Sequence, residues 1–500
     1  MSTEAWALIA AIITMAVMSA AGIAYTRARR QTIEDFVSAR GSIGGMTAMA
    51  TMAASLLGAW ILFSPAEAAT WAGVAALIGY GIGQAAHIVA FTVVGPRMRK
   101  LAPNGHSLSE FVWQRYGRAM YLLTLLIIVL YMFTFLAAEM GAIARAVGHV
   151  AGARLELTLV LVGVATLAYT VYGGLRASIF TDNIQFAIII PLLIAVLIAA
   201  LAHFGGWTAA FDTVREENAA LLDVTQLHGI EFGLTLVIAI LAANLFHQGL
   251  WQRVYAAKTD GDIWRGFLSA GAIVVPLIIA AGLFGLWAVS SGLVNDDQPA
   301  SIALFSLALE VLPGWALVVL VALALVLVMS SMDTLLNGMA SVFTTDLSRI
   351  RGGRGLLRST RLITAFLIIP AAVVGYAFDS VLYLFLIADL VCAGAMVPVF
   401  AGMWSRHLSG MGAVTGAVAG IIVGALFFPK PDLSGWWTWE GLTSVWHILA
   451  SGNLLASFLL AVVTSSVITA LFVSAARQRG GAGFQLEALA EEIRPLESEA

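Results

Sequence analysis

The sequence carries little charge: Asp, Glu, Lys and Arg make up only 11% of its 500 residues. Soluble domains usually carry about 25% charged residues. The net charge of −3 also leaves no basic excess of the kind that nucleic-acid binding requires. This composition excludes a soluble enzyme, and it predicts no nucleic-acid partner and no long disordered region.

Cysteine is nearly absent as well. The single thiol, Cys392, lies inside an apolar run, so no disulfide can form within the chain. The HExxH and GxSxG motifs, which mark zinc proteases and serine hydrolases, do not occur at membrane depth. We therefore expect neither a disulfide scaffold nor an enzyme, and no obligate protein partner is evident.

What the chain has in excess is apolar sequence, with 60% hydrophobic residues and a mean hydropathy of +0.92. A membrane-spanning helix needs about 20 consecutive apolar residues. The chain is therefore predicted to be an all-α polytopic protein of the cell (inner) membrane, with the lipid bilayer as its main surroundings. About thirteen transmembrane helices are expected, at residues 5–25, 44–70, 72–95, 119–148, 155–172, 179–203, 229–248, 266–291, 314–344, 360–377, 381–403, 409–428 and 452–475.

The distribution of basic residues tests this topology. If the N-terminus is outside and the C-terminus inside, 22 of the 26 Lys and Arg residues fall on the cytoplasmic side. Cytoplasmic loops are enriched in these residues, and one missed span would move every later loop to the other side. The asymmetry favours thirteen spans, followed by a short acidic stretch, 477–500, that we expect to be a mobile cytosolic tail.

The second span contains Gly58, Ser64 and Pro65 near its middle. A proline inside a helix removes one backbone hydrogen bond and frees a carbonyl. At membrane depth, freed carbonyls persist where they line a protein cavity, and a cation can then bind them. The alternative for this segment is an ordinary proline kink.

The ninth span carries a polar stripe. Ser330, Asp333, Thr334 and Asn337 are spaced so that they share one helix face. Ionisable residues at membrane depth are costly and usually functional. The stripe therefore suggests a cation or proton site, whereas the alternative is hydrogen bonding between packed helices.

Five segments resemble the sodium:solute symporter family. Residues 169–185 read Tyr-x-x-Tyr-Gly-Gly-Leu-x-Ala-x-x-x-Thr-Asp-x-x-Gln, which is similar to the family's signature. The other four, in the family's order, are residues 34–41 (Glu-Asp-Phe to Gly), 106–117 (His-Ser-Leu-Ser-Glu-Phe to Tyr-Gly), 252–257 (Gln-Arg-Val-Tyr-Ala-Ala) and 330–347 (Ser-Ser-x-Asp to Thr-Thr-Asp-Leu).

The resemblance implies a 5+5 inverted-repeat core of the amino-acid/sodium symporter type. The repeats would be residues 44–203 and 229–403, with a peripheral helix in 1–30 and two more in 409–475. The resemblance also implies secondary active uptake by alternating access, with the sodium ion as coupling ion and a small-molecule solute as cargo.

Carried over to this chain, the family's main sodium site falls on the carbonyls of Ala54, Leu57 and Leu327 and on the hydroxyls of Ser330 and Ser331. A second cation site, present in some members, would involve Asp182, Asp333 and Thr334. Those members have a serine where this chain has Asp333. The substitution leaves two alternatives open, firmer binding of a second sodium ion or binding of a proton.

The substrate is less well specified. The proline-transporting branch has an aspartate at the position of Leu56, and the sugar-transporting branch has polar side chains around the break, which residues 56–60 lack. A looser likeness to urea and polyamine transporters is carried by residues 102–107, 173–177 and 246–253, and the Met-Ser-Ser-x-Asp pattern is similar to the choline branch.

For each candidate substrate contact the alternative is simple burial between helices. A cavity containing Glu67 and Glu139 would favour a cationic or hydrogen-bond-donating solute. The candidates are Trp60, Ser64, Glu67, Gln84, His87, Phe135, Glu139, Asn244, Phe246 and His247.

The sequence therefore predicts a sodium-coupled symporter that imports a small polar solute, such as urea, a polyamine or another small amine. One alternative is a proton-coupled symporter of the same fold. Another is sodium-coupled uptake of an amino acid, a choline-like compound or an organic acid.

Overall fold

The computed structural model describes residues 2–27, 32–295, 299–351, 356–378, 380–430, 452–480 and 483–493. These residues form helices joined by short connections. The α-helices are α1 Thr3–Arg27, α2 Ile33–Val37, α3 Gly45–Leu56, α4 Ser64–Leu101, α5 Leu108–Tyr116, α6 Arg118–Ala151, α7 Leu155–His203, α8 Trp207–Asn218, α9 Leu227–Leu245, α10 Gln248–Ala256, α11 Asp260–Ser290, α12 Ala303–Val311, α13 Gly314–Arg351, α14 Leu356–Ala377, α15 Val381–Ala401, α16 Gly410–Phe427, α17 Leu454–Gln478 and α18 Leu489–Glu492.

Ten helices in this part of the chain are long and apolar enough to cross a bilayer. Three shorter apolar helices accompany them, at Leu155–Val171, Ala300–Val311 and Arg361–Ala377. The first and last of these coincide with two of the predicted spans. The chain is thus an all-helical, polytopic, integral membrane protein, while the count of thirteen spans stays a prediction.

Two long helices bend sharply at glycines. Gly73 in α4 and Gly174 in α7 have φ values of +64° and +54°, in the left-handed region that favours glycine. Each bend coincides with a predicted boundary between two spans. The backbone of Leu221 packs against Gly73 and Phe36 packs against Gly174, so a side chain at either glycine would also collide with a neighbour.

The second predicted span is broken rather than kinked. Helix α3 ends at Leu56, a 3₁₀ turn covers Ala59–Leu62, and α4 begins at Ser64. Pro65 lies in the first turn of α4, where no intrahelical hydrogen bond is lost. The break therefore lies upstream of the proline, at Leu57 and Gly58, and its cause differs from the one expected from the sequence.

A second break was not predicted. The span expected at 229–248 stops at Leu245, and α10 restarts at Gln248 after Phe246 and His247. Trp251 donates an indole hydrogen bond of 2.8 Å to the carbonyl of Leu245, which fixes the two segments relative to each other. Within the described residues, two of the predicted spans are thus interrupted, one at Leu57 and Gly58 and the other at Phe246 and His247.

Close glycine contacts join α4 to its neighbours. The backbones of Gly79 in α4 and Gly233 in α9 lie so near each other that a Cβ on Gly79 would overlap the backbone of Gly233. Gly285 in α11 packs in the same way against the carbonyl of Ala66 in α4. Small residues of this kind permit the closest approach between membrane helices. We call these contacts the glycine seam.

The expectation of a mobile tail is wrong for residues 483–493. Leu486, Leu489 and Ile493 are buried, and the Arg115 guanidinium lies 4.7 Å from the centre of the Phe484 ring. Burial of these apolar side chains and the cation–π contact hold the segment against the core. The rest of the predicted tail beyond α17, residues 481–482 and 494–500, lies outside the described residues.

Candidate functional site

A buried carboxylate holds the first break together. The amides of Ala59 and Trp60 donate hydrogen bonds of 2.7 and 3.2 Å to the two carboxylate oxygens of Glu139 in α6. Free N–H groups after a helix break need acceptors, and an anion is favoured there. Gly58 is required beside this carboxylate because a Cβ at that position would overlap Glu139.

The residues predicted to bind the main sodium ion meet at this break. The hydroxyl of Ser330 lies 3.0 Å from the carbonyl of Ala54, whose helical hydrogen bond is lost where α3 ends. The Ser331 hydroxyl lies 3.3 Å from the carbonyl of Leu327 and donates to Glu139 at 2.7 Å. Leu57 is the extended residue that follows α3.

Oxygen atoms from α3 and α13 thus meet at Ser330, while the neighbouring Ser331 contacts the Glu139 carboxylate. The hydroxyl of Ser330 also lies 2.8 Å from Oδ1 of Asp182. Hydroxyl, carbonyl and carboxylate oxygens are the ligands that hard cations prefer. The donor set therefore fits an alkali cation.

The residues predicted to form a second cation site are also brought together, but around a guanidinium. Nη2 of Arg253 in α10 lies 2.8 Å from Oδ2 of Asp182 and 2.9 Å from the hydroxyl of Thr334. Asp333 instead accepts hydrogen bonds from Ser178 at 2.8 Å and Tyr169 at 3.0 Å. All six side chains are buried, so a cation of the protein already lies between Asp182 and Thr334.

Arg253 is the main residue of this site that the sequence prediction missed. It belongs to the Gln252-Arg253 motif, in the connection between the spans predicted at 229–248 and 266–291. The second break turns α10 so that Arg253 is fully buried. A buried arginine is stable only with charged and polar partners. The one sequence feature that pointed to a buried basic partner was therefore the acidic Asp182.

Five of the ten predicted substrate contacts line one central cavity. They are Trp60, Gln84, Phe135, Asn244 and His247. The remaining lining residues are Ser55, Leu56, Tyr80, Tyr131, Leu236, Ile240, Ala243, Leu382, Phe385, Leu386 and Asp389. Asp389 was not among the ten candidate contacts. Its ionisable side chain within an apolar span is the sequence feature that marks it as a possible functional residue.

The other five candidates lie elsewhere among the described residues. Glu67 lines a separate cavity that also contains Arg145 and His149, and it accepts a 2.8 Å hydrogen bond from Ser380. Glu139 lies at the helix break, as described above. Three candidates are buried between helices, namely Ser64, His87, whose Nδ1 lies 3.4 Å from the Gly83 carbonyl, and Phe246, which packs against Phe400.

The sequence segments 34–41, 106–117 and 246–253 meet at one end of the helix bundle. We call it the basic end, because it is the end predicted to carry most of the Lys and Arg residues. His106 lies 2.7 Å from Glu34 and 3.3 Å from Glu110, and Gln248 of α10 donates to the His106 carbonyl at 2.7 Å. Burial alone would lower the pKa of His106, but the carboxylates of Glu110 and Glu34 outweigh it and raise this pKa to about 9. Burial likewise opposes ionisation of Glu34, yet His106 and Arg40 hold its pKa at about 2.

Comparisons with known proteins agree with this architecture. The chain is 30% identical over 400 residues to the spermidine transporter DUR31 of Candida albicans, covering 79% of this chain and 75% of the relative. It is 22% identical over 393 residues to the urea-proton symporter DUR3 of Oryza sativa subsp. japonica, covering 70% and 54%.

A solved structure gives the fold. The structure of a Na⁺-coupled sialic acid symporter, in a substrate-bound outward-open state, superposes with a TM-score of 0.75 at 18% identity. The match covers 96% of this chain and 99% of that one. A model of the sodium:solute symporter family matches residues 36–424. With its two interrupted helices and its oxygen-lined break, the chain therefore belongs to the sodium:solute symporter family of secondary active transporters.

Proposed function

We propose that this protein is a sodium-coupled symporter that imports a small nitrogen-containing solute, such as urea, a polyamine or another small amine. The two inverted repeats, residues 44–203 and 229–403, would alternate access to the central cavity. The N-terminus would lie outside the cell and the C-terminus inside, in the cell (inner) membrane. The basic end with His106 would then face the cytoplasm.

The observation that carries the choice of sodium is the chemistry of the break. The candidate ligands from α3 and α13 are backbone carbonyls and the hydroxyls of Ser330 and Ser331, none of which titrates near neutral pH. A proton-coupled site needs a group that gains and loses a proton, whereas an alkali cation needs several neutral oxygens. Asp182 is already paired with Arg253, so Glu139, which accepts a hydrogen bond from Ser331, would supply the compensating negative charge.

Arg253 supports a single coupling ion. Its guanidinium contacts both Asp182 and Thr334, where a second cation would otherwise bind. Two positive charges in this buried space would repel each other strongly. We therefore assign one sodium ion per transport cycle to the site formed by Ala54, Leu57, Leu327, Ser330 and Ser331.

Proton coupling is the second candidate. A relative is named a urea-proton symporter, and Asp333 is a buried carboxylate close to the proposed sodium site. Four hydroxyl groups lie within 3.4 Å of Asp333, from Tyr169, Ser178, Thr181 and Thr334, so hydrogen bonds rather than a bound ion surround this carboxyl group. Sodium coupling explains the carbonyl and hydroxyl oxygens at the first break, whereas proton coupling explains only Asp333.

Uptake into proteoliposomes with imposed gradients tests the coupling ion. With spermidine or urea as labelled solute, we expect accumulation with an inward sodium gradient and none with a pH gradient alone. Replacing Ser331 by alanine should raise the sodium concentration for half-maximal uptake about tenfold or more, since a lost ligand costs at least 1.4 kcal/mol.

The matched control is Ser341→Ala. Ser341 is also fully buried in α13, but it lies almost three turns from Ser331. This variant should keep the sodium dependence of the parent protein. Accumulation driven by pH alone, with unchanged sodium dependence in the Ser331 variant, would contradict sodium coupling and support the second candidate.

A further inference from the structure

The central cavity contains a carboxylate that no other side chain neutralises. Asp389 in α15 lines the cavity with 7% of its surface exposed. Within the described part of the chain it forms neither a salt bridge nor a hydrogen bond. An isolated charge in such a place costs several kcal/mol unless a partner compensates it.

Aromatic rings surround the same space. Trp60 stacks on Tyr80 with 6.2 Å between ring centres and meets Phe385 edge-on at 6.3 Å. Phe385 contacts Phe135 at 4.8 Å, and all four rings line the cavity. Phe385 and Asp389 are four residues apart in α15, so they share one helix face. Ring faces attract organic cations and bury their methylene groups.

Two side-chain amides of the cavity present an oxygen that can accept a hydrogen bond from a ligand. Asn244 uses its side-chain N–H₂ to donate to the Ile240 carbonyl at 2.9 Å, which leaves its oxygen for a ligand. The buried Oε1 of Gln84 has no hydrogen-bond partner in the described structure. Together with Asp389, these two oxygens give the cavity three acceptor groups, beside the Tyr80 and Tyr131 hydroxyls, which can also donate. Three acceptors in one space match a ligand that carries several N–H groups and a positive charge.

We propose that Asp389 binds a primary ammonium group of the transported solute, with the rings of Trp60, Tyr80, Phe135 and Phe385 enclosing its alkyl chain. This inference rests on the proposed function and narrows its substrate class to alkylamine cations. A neutral molecule such as urea would leave the carboxylate uncompensated. A carboxylate-bearing solute would add a second negative charge and is excluded from this position.

Binding to the purified protein in sodium-containing buffer tests the inference. We expect putrescine and spermidine to raise the melting temperature, and we expect urea and 1,4-butanediol, the uncharged counterpart of putrescine, to leave it unchanged. Replacing Asp389 by asparagine should weaken putrescine binding at least about 30-fold, because removing one member of a buried charge pair costs 2 kcal/mol or more. Asp389→Glu should restore part of this loss.

The control is Asp223→Asn, which changes an exposed carboxylate in the connection before α9 and should leave putrescine binding unchanged. Equal binding of putrescine by the parent protein and the Asp389→Asn variant would overturn the proposal. So would stabilisation of the parent protein by 1,4-butanediol to the same extent as by putrescine. This second comparison uses no variant, so it decides the matter even if the asparagine variant does not fold.

Failure of the two proposals would look different. If Asp389→Asn abolishes putrescine binding but uptake does not respond to sodium, the ammonium site stands and sodium coupling fails. If sodium drives urea uptake and Asp389→Asn has no effect on it, sodium coupling stands and the ammonium site fails.

Discussion

Arg253 and Asp182 form a salt bridge of 2.8 Å in which both side chains are fully buried. The bridge links α10, which follows the second helix break, to α7, and the hydroxyls of Thr334, Ser178 and Thr51 lie close to the guanidinium. Asp182 also accepts a hydrogen bond from Thr51. One carboxylate therefore lies between the proposed sodium site at Ser330 and a permanent positive charge.

Breaking this salt bridge should destabilise the protein. Arg253→Gln leaves Asp182 buried without its cation, and Asp182→Asn leaves Arg253 without its anion. Each change should lower the free energy of unfolding by about 3–5 kcal/mol. The double variant should lose clearly less than the sum, since it leaves neither charge unpaired. Melting temperatures of the four proteins in detergent check this, and strictly additive losses would show that the two residues do not interact.

The same salt bridge predicts the sodium stoichiometry. Because Arg253 lies where a second cation would bind, the sodium dependence of uptake should have a Hill coefficient close to 1. A direct measurement is the ratio of labelled sodium to labelled solute entering proteoliposomes, which should be one to one. A ratio of two sodium ions per solute would mean that Arg253 leaves Asp182 during the transport cycle.

Gly58→Ala should impair both folding and transport. The new methyl group would overlap the Glu139 carboxylate, which holds the amides of Ala59 and Trp60. Displacing this carboxylate leaves two buried N–H groups without an acceptor, at about 1–3 kcal/mol each. We expect a lower melting temperature and a large loss of sodium-driven uptake.

Gly261→Ala is the control for this substitution. A Cβ at Gly261, in the first turn of α11, would meet Thr259 Oγ1 at 3.5 Å, which is an ordinary contact. The control should keep the melting temperature and uptake of the parent protein. Normal uptake in Gly58→Ala would show that the break tolerates a side chain.

Stability should fall as the pH rises from about 6.5 to about 9. The pKa of His106 is raised to about 9 in the folded protein, so its ion pair stabilises fully below the unfolded value of 6.5 and is lost as the pH passes 9. The lowered pKa of Glu34, about 2, adds stability that is present above 4.5 and lost only toward pH 2. The His106 contribution is up to about 3 kcal/mol.

Melting temperatures between pH 6 and pH 9.5 measure this effect. The parent protein should lose stability over that range, and His106→Gln should have a flatter profile. His203→Gln, which changes an exposed residue at the other end of the bundle, should keep the profile of the parent protein. Identical slopes for the parent protein and His106→Gln would rule out His106 as the cause.

The sequence allowed the helical membrane fold to be predicted, and it identified residues that lie at the first helix break, while their role as cation ligands stays a prediction. Long apolar runs require helices in a bilayer. The serine pair at 330–331 belongs to a recognisable motif, and Gly58 marks the segment in which the first break occurs. The second break was missed because Phe246 and His247 are neither glycine nor proline. No local signal marked the point where α9 stops.

The partners of the buried charges could not be predicted for a different reason. Which carboxylate meets Arg253, and which side chains surround Asp389, depends on how α7, α10 and α15 pack together. Arg253 and Asp182, for example, are 71 positions apart in the chain. The packing of residues 483–493 against the core could not be predicted for the same reason. Their few apolar side chains become buried only if the folded core offers a surface that fits them.

The glycine seam described above has a consequence for how the transporter moves. Where the backbone of α4 touches that of α9 and, separately, that of α11, no side chain remains that could change rotamer and let one helix slide past the other. We therefore expect these three helices to move as one rigid body during the transport cycle. The shear that opens and closes the cavity then falls on its opposite wall, where longer side chains of α6 and α15 can exchange neighbours.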